Sequence, residues 1–314
     1  MKLNDKIRGA IVGYAFGDAI GVGTEFMTRN EVRSYYPEGL RTFSQIIRDA
    51  HRIQWKRGEW TNDTVLMTRF LECILENGRF KLHALARNFK EWFDTQDVDV
   101  ASVFHVMCHN PAWIENPIVI AHQSWSTSHY AEASNDSLHR SLVTALTSSR
   151  EELMEHVRRI TLMTHDDSRC VTTSKIMARM FFRLLHDEEE PSIDELKSVC
   201  LENDPRTLPY LQKAYEGNME GLGIDDENSM TWTRVSMGAA LCSFWHSDNA
   251  YDTIYKVVDM GGDADTNASL AGALAGLKYG YDALPEEVKK MPRLDYLLDL
   301  ADRVTEHVEK NNIK

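Results

Sequence analysis

Apolar residues return every three or four positions along most of this chain. Ile7, Ala10, Ile11, Tyr14 and Ala15 share one face of a helix, with Asn4 or Asp5 placed to cap it. Val65, Leu66, Phe70, Cys73 and Ile74 repeat the pattern, led by Thr61 or Asn62 as cap and stopped near Gly78. The same period predicts helices over roughly 82–94, 150–163, 170–187, 231–246 and 249–259, and an amphipathic helix over roughly 292–309. No series of alternating strands competes with it. The pattern therefore predicts an all-α protein, built as a single compact multi-helix domain over residues 1–314.

One helical stretch differs from the others. Between Asn267 and Gly280, Ala268, Ala271, Gly272, Ala273, Ala275 and Gly276 crowd small residues together. Small side chains let helices approach closely, so this helix is expected at the centre. Its alanines outnumber its glycines, which keeps the cost in helix propensity modest. Segments 40–60, 187–193 and 216–230 are polar or charged without a clear period and are expected to be loops, the last a candidate mobile loop. No repeat, low-complexity tract or interdomain linker interrupts the chain.

Composition narrows the function. The chain is 43% hydrophobic and 26% charged, within the range of ordinary globular proteins. Its net charge is -13, from 48 acidic and 35 basic residues, so a broad nucleic-acid-binding face is not expected. A small anion remains acceptable where helix N-termini or a bound cation reverse the local sign. The five cysteines are widely spaced and form no C-x-x-C, which suits reduced thiols and a cytoplasmic location. No run of about 18 apolar residues exists, so no membrane span is expected. Asp18 interrupts the apolar stretch Ile11 to Val22 and marks it as a buried helix, not a leader.

The chemistry concentrates in two short acidic motifs far apart in sequence. Thr61-Asn62-Asp63-Thr64 and Gly261-Gly262-Asp263-Ala264-Asp265-Thr266 each gather oxygen-bearing side chains at a helix start. Hard divalent cations take such ligands, and neither motif alone fills a coordination sphere. An EF-hand is excluded, because the positions that need Gly and Glu hold Ala268 and Leu274. Gly261 and Gly262 permit a tight turn that points both carboxylates inward. Taken alone, Thr61-Asn62-Asp63-Thr64 reads as a helix cap. Three further elements carry polar chemistry: Glu25 within Gly17 to Phe26, the loop Ser134-Asn135-Asp136-Ser137-Leu138-His139-Arg140, and the turn Thr164-His165-Asp166-Asp167. Glu25 beside Phe26 is a candidate general acid or base, and the loop amides are a candidate phosphate cradle.

These motifs, in this order, resemble the ADP-ribosylglycohydrolases, a family that includes the dinitrogenase reductase activating glycohydrolases. The resemblance runs from residue 6 to about 285, and the 261–274 motif is its most specific part. It implies an all-α fold around one or two Mg²⁺ or Mn²⁺ ions, and cleavage of the glycosidic bond joining ADP-ribose to a side chain or small acceptor. By position it implies metal ligands at Thr61, Asn62, Asp63, Asp263, Asp265 and Thr266. Glu25 and Asp63 become catalytic candidates. Asn135, Asp136, Ser137, Arg140 and His165 become candidates for binding ADP-ribose. The chemistry is self-consistent: cleavage passes through an oxocarbenium-like state, and a metal can orient the ribose diol and lower the pKa of a water.

Two departures matter. The family usually carries Thr-Asp-Asp-Thr where this chain has Asn62, which removes one negative charge beside the metals. One ion is then expected to bind more weakly than the other. Asp136 and His139 also replace a usual glycine and methionine. Two alternatives follow: a catalytically weakened ADP-ribose-binding protein, and a metal hydrolase acting on another ribosyl or nucleotide compound.

Overall fold

A computed structural model describes residues 1–95, 104, 107–129, 133–186 and 189–313. Among these, fourteen α-helices and no strand are present, as the all-α pattern requires. The helices are α1 Leu3–Gly21, α2 Arg29–Tyr35, α3 Asn62–Asn77, α4 Leu82–Phe93, α5 Pro117–Thr127, α6 His139–Thr147 and α7 Arg150–Leu162. There follow α8 Ser168–Leu185, α9 Ile193–Asn203, α10 Leu208–Tyr215, α11 Thr233–Trp245, α12 Ala250–Val258, α13 Ala264–Tyr279 and α14 Leu294–Lys310. One contiguous apolar core runs from Ile7 to Ile313.

The centre of the molecule is the pair α1 and α13. Both are buried nearly all round, so neither shows the one-sided stripe of a surface helix. Their approach depends on glycine. Gly9, Gly13, Gly17 and Gly21 recur every four residues on α1 and face Gly276, Gly272, Ala268 and the start of α13. A methyl group on Gly13 or Gly17 would overlap the carbonyl oxygen of Gly272 or Ala268. The small residues of α13 were visible in sequence, and the matching row on α1 is their partner. This contact carries the first and last thirds of the chain to one place, which is what the two acidic motifs need.

Local signals fare unevenly. Thr61 does cap α3, accepting from the Asp63 amide at 3.3 Å, and Gly78 ends it with φ +69°. The cap of α1 is Lys2, with no side-chain cap bond, whereas Asn4 and Asp5 lie inside the helix. Their polar groups serve tertiary contacts instead: Asn4 donates to Asp302 at 2.8 Å, and Asp5 accepts from the Tyr281 amide at 3.1 Å. Helix α13 begins at Ala264, three residues before the small-residue run. Segment 216–230 is a packed loop, with a short 3-10 turn at Glu220–Leu222 and with Leu222 and Ile224 buried. Segment 40–60 is irregular as expected, apart from 3-10 turns at Phe43–Gln45 and Arg52–Gln54. Of the expected acidic loop 187–193, residues 187 and 188 lie outside the described residues. All five cysteines are buried and none is in a disulfide, and no helix among the described residues is long and apolar enough to cross a membrane.

Candidate active site

The site forms where α1 ends, α3 begins and α13 begins. Asp18, near the end of α1, is fully buried and caps α3 in tertiary fashion. It accepts from the amides of Thr61 at 3.0 Å and Thr64 at 3.0 Å, and from the Thr64 hydroxyl at 2.6 Å. These bonds satisfy first-turn amides that a helix leaves open, and they fix Asp63 in direction. Across from them, Gly261 and Gly262 take φ +73° and +66°, and no Cβ fits at either. That turn exchanges two backbone bonds with the Glu25 turn: Phe26 N–H donates to Gly262 at 2.6 Å, and Gly262 N–H donates to Met27 at 2.8 Å. Phe26 itself sits at φ +56°, a strained setting for a side chain this large, beside the Glu25 carboxylate.

The result is a buried carboxylate cluster. Oxygens of Glu25, Asp263 and Asp265 all lie within 4.8 Å of one another. Asp63 joins them through Thr266, whose hydroxyl donates to Asp63 Oδ2 at 2.8 Å. Thr266 therefore links the two motifs directly, across 203 positions of sequence. Glu25, Asp63, Asp263 and Asp265 are each at most 8% exposed. Burial pushes Asp263 up to about 7, against the opposing hydrogen bonds of Asp265 and Asn135 and with the charges of Glu25 and Asp63 adding to it. Burial also raises Asp265 well above the usual carboxylate range, helped by Glu25, Asp263 and Asp63. Burial also raises Glu25, although His51 pulls it back. Asp18 is pushed up to about 7, by burial first and then by Asp63. Such mutually raised carboxylates are what a cation relieves, and an all-oxygen set of this kind suits a hard divalent ion.

Two histidines flank the cluster, and spacing did not reveal either. His51 Nε2 meets Glu25 Oε2 at 2.8 Å. Its ring packs between Phe26 and Trp55, each with centroids 5.2 Å away. Arg52 buttresses the same turn by donating to the carbonyls of Gly23, at 3.0 Å, and Glu25. His139 Nε2 lies 3.1 Å from Asp63 Oδ1, in ion-pair range but without hydrogen-bond alignment. Its Nδ1 meets the Tyr14 hydroxyl, so a buried Tyr14–His139–Asp63 chain runs inward from the cluster. Burial lowers His139, but Asp63 and Asp136 outweigh it and the net shift is upward.

The expected ADP-ribose contacts are placed less uniformly. Asn135 belongs to the cluster: its amide donates to Asp263 Oδ2 at 2.8 Å and to Ser236 at 2.7 Å. Asp136 is half-buried and accepts from Ser134 at 2.8 Å. Ser137 is fully buried, donating to the Ser134 carbonyl at 3.2 Å. Arg140 departs most from expectation. It is 1% exposed, donates to Thr164 and the Ile160 carbonyl, and lies over the rings of Phe70 and Phe89. Its guanidinium sits among core groups, and its Nη2 has no hydrogen-bond partner among the described residues. His165 is buried between Ser134 at 2.9 Å and Thr164 at 2.8 Å, and burial, then Arg140 and His139, hold it well below the usual imidazole range. Asn62 is half-buried and its side chain makes no hydrogen bond among the described residues. Glu25, expected only as acid or base, takes part in the close carboxylate trio.

The sequence profile of the ADP-ribosylglycohydrolase family matches residues 1–313, and the chain belongs to that family. An ADP-ribosylarginine hydrolase Tri1 from Pseudomonas putida is 24% identical over 313 residues, covering 96% of this chain and 78% of that one. An ADP-ribosyl-[dinitrogen reductase] glycohydrolase from Rhodospirillum rubrum is 25% identical over 291 residues, covering 90% and 88%. A solved structure described as an ADP-ribosylglycohydrolase-related protein complex shares the fold, with a TM-score of 0.72 at 21% identity over 97% of this chain and 98% of that one.

Proposed function

We propose that this chain is a metal-dependent glycohydrolase that releases ADP-ribose from a modified protein side chain. The observation that carries the proposal is the convergence of Glu25, Asp263 and Asp265 within 4.8 Å, with Asp63 tied in through Thr266. Family membership supplies the reaction class. Glu25, Asp63, Asp263, Asp265 and Thr266 would hold Mg²⁺ or Mn²⁺. Such an ion, when bound, orients a ribose diol and makes a water more acidic.

The chain's own groups supply the rest. Glu25 has its Oε2 fixed by His51 and lies next to the exposed Phe26, so it can accept a proton from an attacking water or guide it. Phe26, 48% exposed beside it, offers an aromatic face to the substrate. Asp63 is held in place by Thr266 in front and His139 behind, and Asn135 holds Asp263. Asp136 is half-buried, held by Ser134, and as the carboxylate of this loop could accept a hydrogen bond from a ribose hydroxyl. The arginine in the name of the Pseudomonas relative makes ADP-ribosylarginine the first acceptor to try. Five buried free thiols support a reducing, cytoplasmic place of action.

The test is release of ADP-ribose from an ADP-ribosylated arginine peptide, after chelation and after adding back Mg²⁺ or Mn²⁺. Activity restored by metal and lost in Asp263→Ala supports the proposal. Undiminished activity in chelator, or in that variant, overturns it. A second reading rests on Asn62, whose amide leaves this acid cluster one charge poorer than the family pattern. ADP-ribose binding without release would then favour a binding protein.

A further inference from the structure

A second concave site lies at the other end of α3. Helix α3 carries Asp63 in its first turn and ends at Asn77–Gly78, about 24 Å away along 16 residues. There a cavity of about 720 Å³ opens between the end of α3, the start of α4, the end of α6, the start of α7 and the end of α14. Its volume is in the range of small-molecule sites.

Its charge runs against the rest of the molecule. In a chain of net charge -13, Arg79, Lys81, Arg87 and Arg159 all line this one cavity. The lining carboxylate is Glu152, which already accepts from the Ser149 hydroxyl at 2.9 Å. None of the four cations forms an ion pair among the described residues. Lys81 reaches only the Asn77 amide oxygen, at 3.2 Å. Arg159 lies 5.8 Å from the Phe80 ring, which stacks on His156 with centroids 4.2 Å apart and planes 15° apart.

The backbone adds an independent feature. Helix α4 opens into the cavity with Lys81 at its N-cap and no capping side chain. Ser, Thr, Asp or Asn would be favoured there, and a cation is opposed by the positive end of the helix. Clustering three more cations around an uncapped N-terminus is locally unfavourable unless an anion completes it. Rules broken together at one concave place point to a binding role.

We infer that this cavity is a binding site for a phosphate-bearing small molecule, distinct from the carboxylate cluster. Phosphate oxygens would take the Arg79, Arg87 and Arg159 guanidiniums and the α4 amides, and the concave wall would concentrate the field. The site touches α3 and α6 at their far ends, and these same helices carry Asp63 and His139 in their first turns.

Hydrogen–deuterium exchange can localise such binding. ADP and inorganic pyrophosphate are added separately to the full chain at low ionic strength, with adenosine as the uncharged arm. Both anions should slow exchange in segments 78–87 and 147–159, and adenosine should not. The double variant Arg79→Gln, Arg159→Gln should weaken that protection roughly tenfold or more. Exchange at 61–64 reports the carboxylate cluster separately and shows whether the variant is folded. Arg87→Gln, at an exposed side chain without a hydrogen bond, gives a second variant with no route to unfolding. Loss of affinity there too supports the site. Absence of protection at millimolar ADP and pyrophosphate, equal protection by adenosine, or unchanged affinity in the folded variants would overturn it.

Discussion

Asn62 occupies the first position of α3, next to the buried Asp63, and brings a neutral amide to a cluster of carboxylates. Its side chain is half-buried and free of hydrogen bonds among the described residues, so an aspartate there meets no steric obstacle. A carboxylate in the first turn is also favoured by the helix dipole. A charge-assisted contact is worth about 1.5–3 kcal/mol, or roughly ten- to a hundredfold in affinity. Asn62→Asp should therefore tighten Mg²⁺ or Mn²⁺ binding by about that factor in calorimetric titrations, and raise ADP-ribose release if a second ion limits the rate. Equal affinity in the two proteins would place residue 62 outside the coordination sphere. At this scale, Asp63, Asp263, Asp265 and Glu25 were legible because each sits in a compact motif. Asp18, His51, His139 and Tyr14 were not. Their partners lie 43, 26, 76 and 125 positions away, counted from Asp18 to Thr61, Glu25 to His51, Asp63 to His139 and Tyr14 to His139, and nothing local marks them. Arg140 shows the opposite case: it was read as part of a polar loop, yet it lies in the first turn of α6 with its guanidinium over the rings of Phe70 and Phe89.

At the level of elements, the contact between α1 and α13 decides whether the two acidic motifs meet. Gly17 is adjacent to Asp18 and lies against the Ala268 carbonyl. Gly17→Ala gains about 1 kcal/mol in helix propensity but must push two backbones apart, at about 1–3 kcal/mol or more. The net should be destabilising in urea titration, with weakened metal binding because Asp18 and Asp265 move apart. A stabilised variant would show that the helices are not in contact there. A second element-level prediction concerns Asp204, which precedes α10 and is 3% exposed. It accepts from Ser168 at 2.6 Å, from the Arg206 amide at 3.0 Å and from Arg206 Nε at 2.9 Å. Burial alone would push it up, but these donations outweigh burial and hold it near about 2. A depressed carboxylate stabilises above its unfolded value of about 3.9 and loses that contribution as pH falls. With screening at the half-exposed Arg206, Asp204→Asn should cost about 1–2 kcal/mol at pH 7. The gap from wild type should close between about pH 4 and pH 2. A gap that persists at pH 2 would assign the effect to packing. The long helices α3, α8 and α14 were legible because they repeat their apolar period over several turns. Helices α2, α9 and α10 were not: they bury only Val32, only Leu196, Val199 and Cys200, and only Leu211 and Ala214, too few apolar positions to mark a period, whereas α12 buries six of its nine residues and was legible.

For the whole molecule, the fold stores repulsion at the carboxylate cluster. Four carboxylates from opposite ends of the chain are buried together, and the excess of acid over base leaves little general compensation. The nearby cations are few: His51 and His139 face the cluster, while Arg52 spends its guanidinium on backbone carbonyls and Asp49. Each raised carboxylate favours its neutral form, so at neutral pH the metal-free fold is weakened by the same groups that would bind the ion. A ligand that binds only the native state stabilises by about 2.7 kcal/mol at a hundred times its Kd. Mg²⁺ or Mn²⁺ should therefore raise the melting temperature by several degrees. Asp263→Asn keeps the shape and an acceptor for Asn135 but removes one charge. That variant should melt at or above the metal-free wild type and gain nothing from metal. The two halves of this prediction guard each other. If the variant melts lower than metal-free wild type, Asp263 is a structural acceptor for Asn135 and the cluster is not under repulsion. If wild type ignores both metals while the variant is stabilised, the carboxylates repel but share protons in place of a cation, and metal dependence falls even though the fold and the family stand.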